Sequence, residues 1–164
     1  MTDADLVIRD ATPDDVEILV AFNRAIATET EGKTLDPDVV HRGVLALFAH
    51  PDRGRYFLAE IDGQVVGQTM ITFEWSDWRA GTFWWIQSVY VQADARGRGV
   101  FTALFRHVEA LARCADDVCG LRLYVEKDNQ TAMTVYRRMG LTPTGHLVFE
   151  HDWSGRTADA PTSD

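Results

Sequence analysis

The stretch Val89-Tyr-Val-Gln-Ala-Asp-Ala-Arg-Gly-Arg-Gly-Val-Phe-Thr-Ala-Leu-Phe105 decides how this chain is put together. It reads as a buried strand, a glycine-rich turn carrying two arginines, and the first turns of an amphipathic helix. Gly97 and Gly99 have no Cβ, so the backbone can turn tightly there and come close to a ligand. The N–H groups of the first helical turn have no partner inside the helix, and they lie at the positive end of its dipole. Arg96 and Arg98 add charge at the same point. A strand–turn–helix of this kind is suited to an anion, and above all to a phosphate.

Two nucleotide-binding motifs fit these residues poorly. A Walker A loop carries Gly-Lys-Ser/Thr at the start of its helix, whereas Gly99 is followed here by Val100 and Phe101. A dinucleotide fingerprint has Thr102 where its third glycine belongs, and this turn comes after more than half the chain. The spacing that does fit is Arg-x-x-Gly, realised as Arg96-Gly97-Arg98-Gly99. It resembles the pyrophosphate loop of the GNAT superfamily of acetyl-CoA-dependent N-acetyltransferases. A second block, Asn129-Gln-Thr-Ala132-Met-Thr-Val-Tyr136-Arg-Arg-Met-Gly140-Leu141, is similar to that family's later helix. The two blocks stand in the family's order, separated by an expected strand over Leu121–Glu126, and the resemblance runs over residues 6–153. Phe101 departs from it, because many members carry Gly or Ala there.

With 164 residues, 46% of them apolar, the chain is long and apolar enough to bury a core of its own and reads as one domain over 1–153. Residues 154–164 read as a polar, disordered tail. No apolar run approaches the length that spans a bilayer, and the acidic Met1–Asp5 is the wrong flank for a signal peptide. Cys114 and Cys119 have neither CxxC spacing nor a nearby pair of histidines, so they read as reduced thiols of a cytoplasmic protein, with no metal site. A net charge of −9 without a broad basic face argues against a nucleic-acid partner and is compatible with a cationic amine substrate.

Turn and cap signals give the remaining order. Asp5–Arg9 is a strand, and Thr12-Pro13-Asp14-Asp15 starts a helix continued by Val16, Leu19, Val20, Phe22, Asn23 and Ile26 at near-helical spacing. Glu29–Lys33 is a break, and Asp36-Pro37 opens a second helix. Tyr56–Ile61 and Gln64–Phe73 form a hairpin around Asp62-Gly63, and Thr82–Val91 follows as a third long strand. Helices over Val100–Arg113 and Asn129–Met139 flank the strand Leu121–Glu126, and Gly145–Trp153 reads as a last strand. The expected fold is α+β: a central mixed, mostly antiparallel sheet of six to seven strands flanked by about four helices, the usual GNAT arrangement.

The resemblance implies acetyl transfer from acetyl-CoA to a primary amine by direct attack. The cofactor would be held by Val89, Tyr90 and Val91, the turn Arg96 to Gly99, the helix start Val100, Phe101 and Thr102, and by Asn129, Ala132 and Tyr136. A backbone N–H at a bulge within Gln87–Val91 would stabilise the oxyanion. Tyr136, a phenol protonated at neutral pH, would be the general acid for the departing thiolate. Glu74, beside aromatic rings, is the candidate general base. Glu29, Glu31, Trp75 and Gln87 are the candidates to bind the amine, which is a small molecule or a peptide. Alternation sends Trp84 and Trp85 to opposite faces of their strand, one into the core and the other to line an acceptor pocket, pack on the first helices or join a homodimer interface. Membrane association is not expected. The rival reading is a non-catalytic acyl-CoA-binding sensor or partner-binding module on the same fold.

Overall fold

Asp62 (φ 52°) and Gly63 (φ 77°) both take left-handed dihedrals, the two-residue turn whose twist matches the strands it joins. Around it the computed structural model, which describes residues 5–154, builds a five-stranded sheet in chain order. The strands are β1 (Leu6–Asp10), β2 (Gly54–Ile61), β3 (Gln64–Ser76), β4 (Gly81–Val91) and β5 (Val118–Leu123). β1 to β4 pair antiparallel, and β5 joins β4 in parallel, as a strand reached through a crossover helix must. The helices are α1 (Val16–Glu31), α2 (Pro37–Ala49), α3 (Val100–Cys114) and α4 (Gln130–Arg138).

The strand period of two divides the sheet between two layers. On one face α1 and α2 cover Tyr56, Leu58 and Met70 with Val16, Leu19, Val20 and Val44. On the other, α3 buries Leu104, Phe105 and Val108, and His107 meets Phe57 edge-on at 5.3 Å. Each fully buried Leu, Ile or Phe here contributes about 1.5–3 kcal/mol. Trp84 is buried against Phe73, while Trp85 turns to the opposite face, as the alternation requires.

The structure differs from the sequence reading in three places. α1 does not break at Glu29 but runs to Glu31, where Gly32 (φ 62°) closes it and donates to Thr28 O. β5 begins three residues earlier than expected, because Thr82 N–H bonds to Asp117 O and sets the parallel register from Val118. It also stops at Leu123 rather than Glu126. The last strand, Gly145–Trp153, is not formed: the alternation Leu147, Phe149 is present, but these residues enter no strand ladder and both side chains are exposed. The sheet therefore has five strands instead of six to seven.

The chain divides into two compact units, one ending at Tyr124 and one beginning at Val125. Within the second, Asn129 caps α4 by accepting from the Ala132 N–H at 3.0 Å, and Gly140 (φ 92°) ends it. Apart from Ser154, the tail 154–164 lies outside the described residues.

Candidate active site

β3 and β4 pair in step until Met70 faces Gln87, and pairing resumes with Gln68 opposite Tyr90. Two steps on β3 thus match three on β4, so β4 carries one extra residue opposite Thr69: a bulge at Ser88–Val89. Ser88 has φ 41°, a left-handed dihedral at a residue other than glycine. Such a conformation costs on the order of 1–3 kcal/mol and persists only where its surroundings hold it. On the other side of β4, pairing with β5 ends at Ile86–Leu123. From Gln87 onward β4 is therefore open toward β5.

Past this open end the chain makes a short 3-10 turn over Ala93–Ala95 and reaches the glycine turn. Gly97 (φ 75°) and Gly99 (φ 81°) both sit in the left-handed region, and nothing lies within 4 Å of where their Cβ atoms would stand. Gly99 is the N-cap of α3, with no side-chain cap and no acidic residue in the first turn. The N–H groups of the first turn, which starts at Val100, have no acceptor within α3 itself. Phe101 packs sideways on Phe105, with ring centres 6.3 Å apart, so its bulk leans along the helix.

The two arginines do not share one task. Arg96 donates through Nε to Val91 O at 2.9 Å and through Nη2 to Glu29 at 2.6 Å. Glu29, expected in a loop as an amine ligand, sits in the last turn of α1 and also accepts from the Tyr90 hydroxyl at 3.3 Å. Burial, and then the Glu29 carboxylate, raise the Tyr90 phenol above its ordinary range. Tyr90 in turn packs on Phe22 at 4.9 Å. Arg96 thus ties the loop to α1 and β4. Arg98 lines an open depression of about 330 Å³ with Asp62, Gln64, Gln92 and Asp94. Glu31 pairs with Lys33 on the surface.

Glu74 does not stand beside the bulge. It faces Phe83, four residues along β3 from the Met70–Gln87 rung, or about 13 Å. Both its oxygens are engaged: Oε2 accepts from Trp85 Nε1 and Oε1 from Arg122 Nη1, each at 2.6 Å. Arg122 itself lies 3.8 Å over the Phe83 ring, and Trp85 packs on Tyr124 at 4.4 Å. Two charge-assisted hydrogen bonds thus hold the Glu74 carboxylate between Trp85 and Arg122. Trp75, opposite Thr82 near the far end of the same hairpin, is exposed. Gln87 stays at the bulge, its side chain donating to Thr72 Oγ1 at 3.4 Å.

In the second unit, the residues of α4 with partial burial are Ala132, Met133, Val135 and Tyr136, followed by Met139 just past its end. Ala132, Val135, Tyr136 and Met139 stand at helical spacing along one stripe. Burial raises the Tyr136 phenol above its ordinary range and keeps it protonated at neutral pH.

Three polar residues were not among the expected site residues: Asn23, expected only as a position of the first helix, and Gln68 and Thr69. Gln68 and Thr69 are buried, and both donate to backbone carbonyls flanking Ser88. The available signal was a polar pair inside the apolar run Val65–Ile71 and an asparagine on the apolar face of α1.

The sequence matches the Acetyltransferase (GNAT) family over residues 20–141, and the chain belongs to that family. It is similar to the mycothiol acetyltransferase of Mycolicibacterium gilvum, 32% identical over 134 residues that cover 77% of this chain and 42% of the relative. The chain thus spans about two fifths of the length of the curated relatives it matches. The solved structure of a possible acetyltransferase from Clostridium difficile 630 superposes with a TM-score of 0.84 at 39% identity, covering 92% of this chain and 98% of that one. A predicted acetyltransferase from Clostridium acetobutylicum, solved with acetyl-CoA, shares the fold at TM-score 0.73 and 18% identity, over 90% of this chain and 96% of that one. Among the described residues no helix is long and apolar enough to cross a membrane, and no group of three or more His, Cys, Asp or Glu is placed to hold a metal.

Proposed function

We propose that residues 1–153 work as one acetyltransferase domain that moves an acetyl group from acetyl-CoA to a primary amine by direct attack. The observation that carries this reading is one conjunction. An open, bulged strand end leads within a few residues to a glycine turn and a helix start with no side-chain cap. The first supplies a backbone donor with no β5 neighbour, and the second supplies donors suited to a pyrophosphate. Backbone N–H groups need no particular side chain at position 101, so Phe101 is compatible with the loop.

Bound acetyl-CoA would supply the activated acetyl group and a thiolate leaving group. The Val89 N–H is the donor we assign to the charge that develops on the acetyl oxygen. Tyr136 is the general acid we assign, its proton going from the phenol oxygen to the departing sulfur. Family resemblance and a phenol held protonated by burial support that role. Glu74 keeps Arg122 and Trp85 in place, and the amine loses its proton to water rather than to a dedicated carboxylate. The acceptor is a small molecule or a peptide, and mycothiol-type acceptors belong in the panel because of the relatives named above.

The test is a calorimetric titration with acetyl-CoA, followed by thiol release across a panel of amines. Saturable binding with amine-dependent thiol release is the expected result. Binding without release from any amine would favour an acyl-CoA sensor instead, and no binding by folded protein would overturn the proposal.

A further inference from the structure

The strained dihedral at Ser88 needs something to hold it, and the two buried β3 side chains supply it. Thr69 Oγ1 donates to Gln87 O at 3.3 Å, and Gln68 Nε2 donates to Ser88 O at 3.4 Å. The carbonyls on both sides of Ser88 are thereby fixed. A carbonyl can only accept, so the bond to Ser88 O decides which way round the Gln68 amide lies. The same nitrogen then gives its second proton to Asn23 Oδ1 at 3.2 Å, and Asn23 Nδ2 gives its own to the Tyr56 hydroxyl at 3.1 Å. One directed chain runs from the bulge through β3 and α1 to the buried Tyr56 of β2.

Core packing does not explain this arrangement. Gln68 is fully buried, and its Oε1 has no hydrogen-bond partner among the described residues. An apolar side chain of that size would avoid the desolvated oxygen altogether. What the glutamine provides is a donor at Ser88 O. In a trans peptide the C=O and the following N–H point in opposite directions, so holding Ser88 O aims the Val89 N–H away from Gln68.

We infer that Gln68, itself held by Asn23, is a positioning residue for the β4 bulge, fixing the Ser88–Val89 peptide so that the Val89 N–H serves the acetyl carbonyl of acetyl-CoA. The inference rests on the acetyl-CoA reading above. CoA and acetyl-CoA share every group except the acetyl, so the ratio of their dissociation constants isolates this donor from the phosphate contacts.

Calorimetry with both ligands on the wild type, Gln68→Met and Gln68→Glu provides the test. Gln68→Met keeps the volume and removes the donor. It should weaken acetyl-CoA about tenfold while CoA affinity stays within about twofold, and it should lower turnover with any working amine by about 10- to 100-fold. Gln68→Glu puts a carboxyl in the same buried place, where burial raises its pKa. Its protonated form can donate to Ser88 O, so the preference for acetyl-CoA should return as pH falls. Equal loss of both ligands, or a preference unchanged in Gln68→Met, overturns the inference and leaves the acetyl-CoA reading intact. A wild type that binds CoA and acetyl-CoA equally does the same. A folded wild type that binds neither overturns both.

Discussion

The starts of α2 and α3 meet the same physical problem in opposite ways. Each helix has orphaned N–H groups in its first turn. At α2 the chain satisfies them itself: Asp36 accepts from Asp38 N at 2.9 Å and from Val39 N at 3.4 Å, and Pro37 removes one donor outright. At α3 the N-cap is Gly99 in a left-handed conformation, without a side-chain cap or an acid in the first turn. A cap contributes about 1 kcal/mol, and α3 does without it. Its stability comes instead from a buried stripe, Val100, Leu104, Phe105, Val108 and Ala112. A helix anchored along its side can leave its end free for a ligand, whereas α2, with only Val44 buried, relies on its cap.

The sharpest way to break this comparison is Gly99→Glu against Asp36→Ala. We expect the first to weaken acetyl-CoA binding by at least about 100-fold, through an acid at the helix start and a left-handed dihedral that disfavours side chains. Asp36→Ala should bind as the wild type does. Calorimetry reads both, and equal affinities would end the claim that α3 is the ligand-binding start. Next in size is Tyr136→Phe, expected to lower turnover about 100-fold with acetyl-CoA affinity within about twofold. Unchanged turnover, when chemistry limits the rate, would remove Tyr136 from proton transfer. α4 resembles α2 in closing its own start through Asn129. Asn129→Ala and Asp36→Ala should therefore each cost about 1 kcal/mol in urea unfolding. A loss of acetyl-CoA affinity in Asn129→Ala alone would add Asn129 to the cofactor contacts.

The smallest effect concerns the start of α1. There the Asp15 carboxylate accepts from Thr12 N–H at 2.7 Å and pairs with Arg9 at 2.8 Å. The Arg9 guanidinium, above all, pulls its pKa down to about 2. A carboxylate depressed by folding stabilises the fold above its unfolded pKa and loses that contribution as pH falls through the folded value. Asp15 thus contributes fully above about pH 4 and loses its effect toward about pH 2. Arg9→Met should move the acid-unfolding midpoint, followed by circular dichroism, to higher pH.

Much of this was legible in the sequence because it depends on neighbours along the chain. Turns at Asp62-Gly63 and Gly97–Gly99 and the opening of α2 at Asp36-Pro37 are all set within a few residues. The partners of Glu29 and Glu74 were not legible, for the opposite reason. Which partner a carboxylate meets depends on elements 67 and 48 residues away, Arg96 and Arg122. The strand expected over Gly145–Trp153 shows the same limit, since alternation marks a strand but cannot provide its neighbour.

Local chemistry in the sequence by itself determined the two blocks around Arg96–Gly99 and Asn129–Leu141, and with them the family. Only the tertiary structure decided that β4 bulges at Ser88–Val89, that it is open beyond Ile86, and that Gln68 and Thr69 hold the bulge from β3. A bulge is a mismatch of register between two strands, and register exists only once the strands are paired.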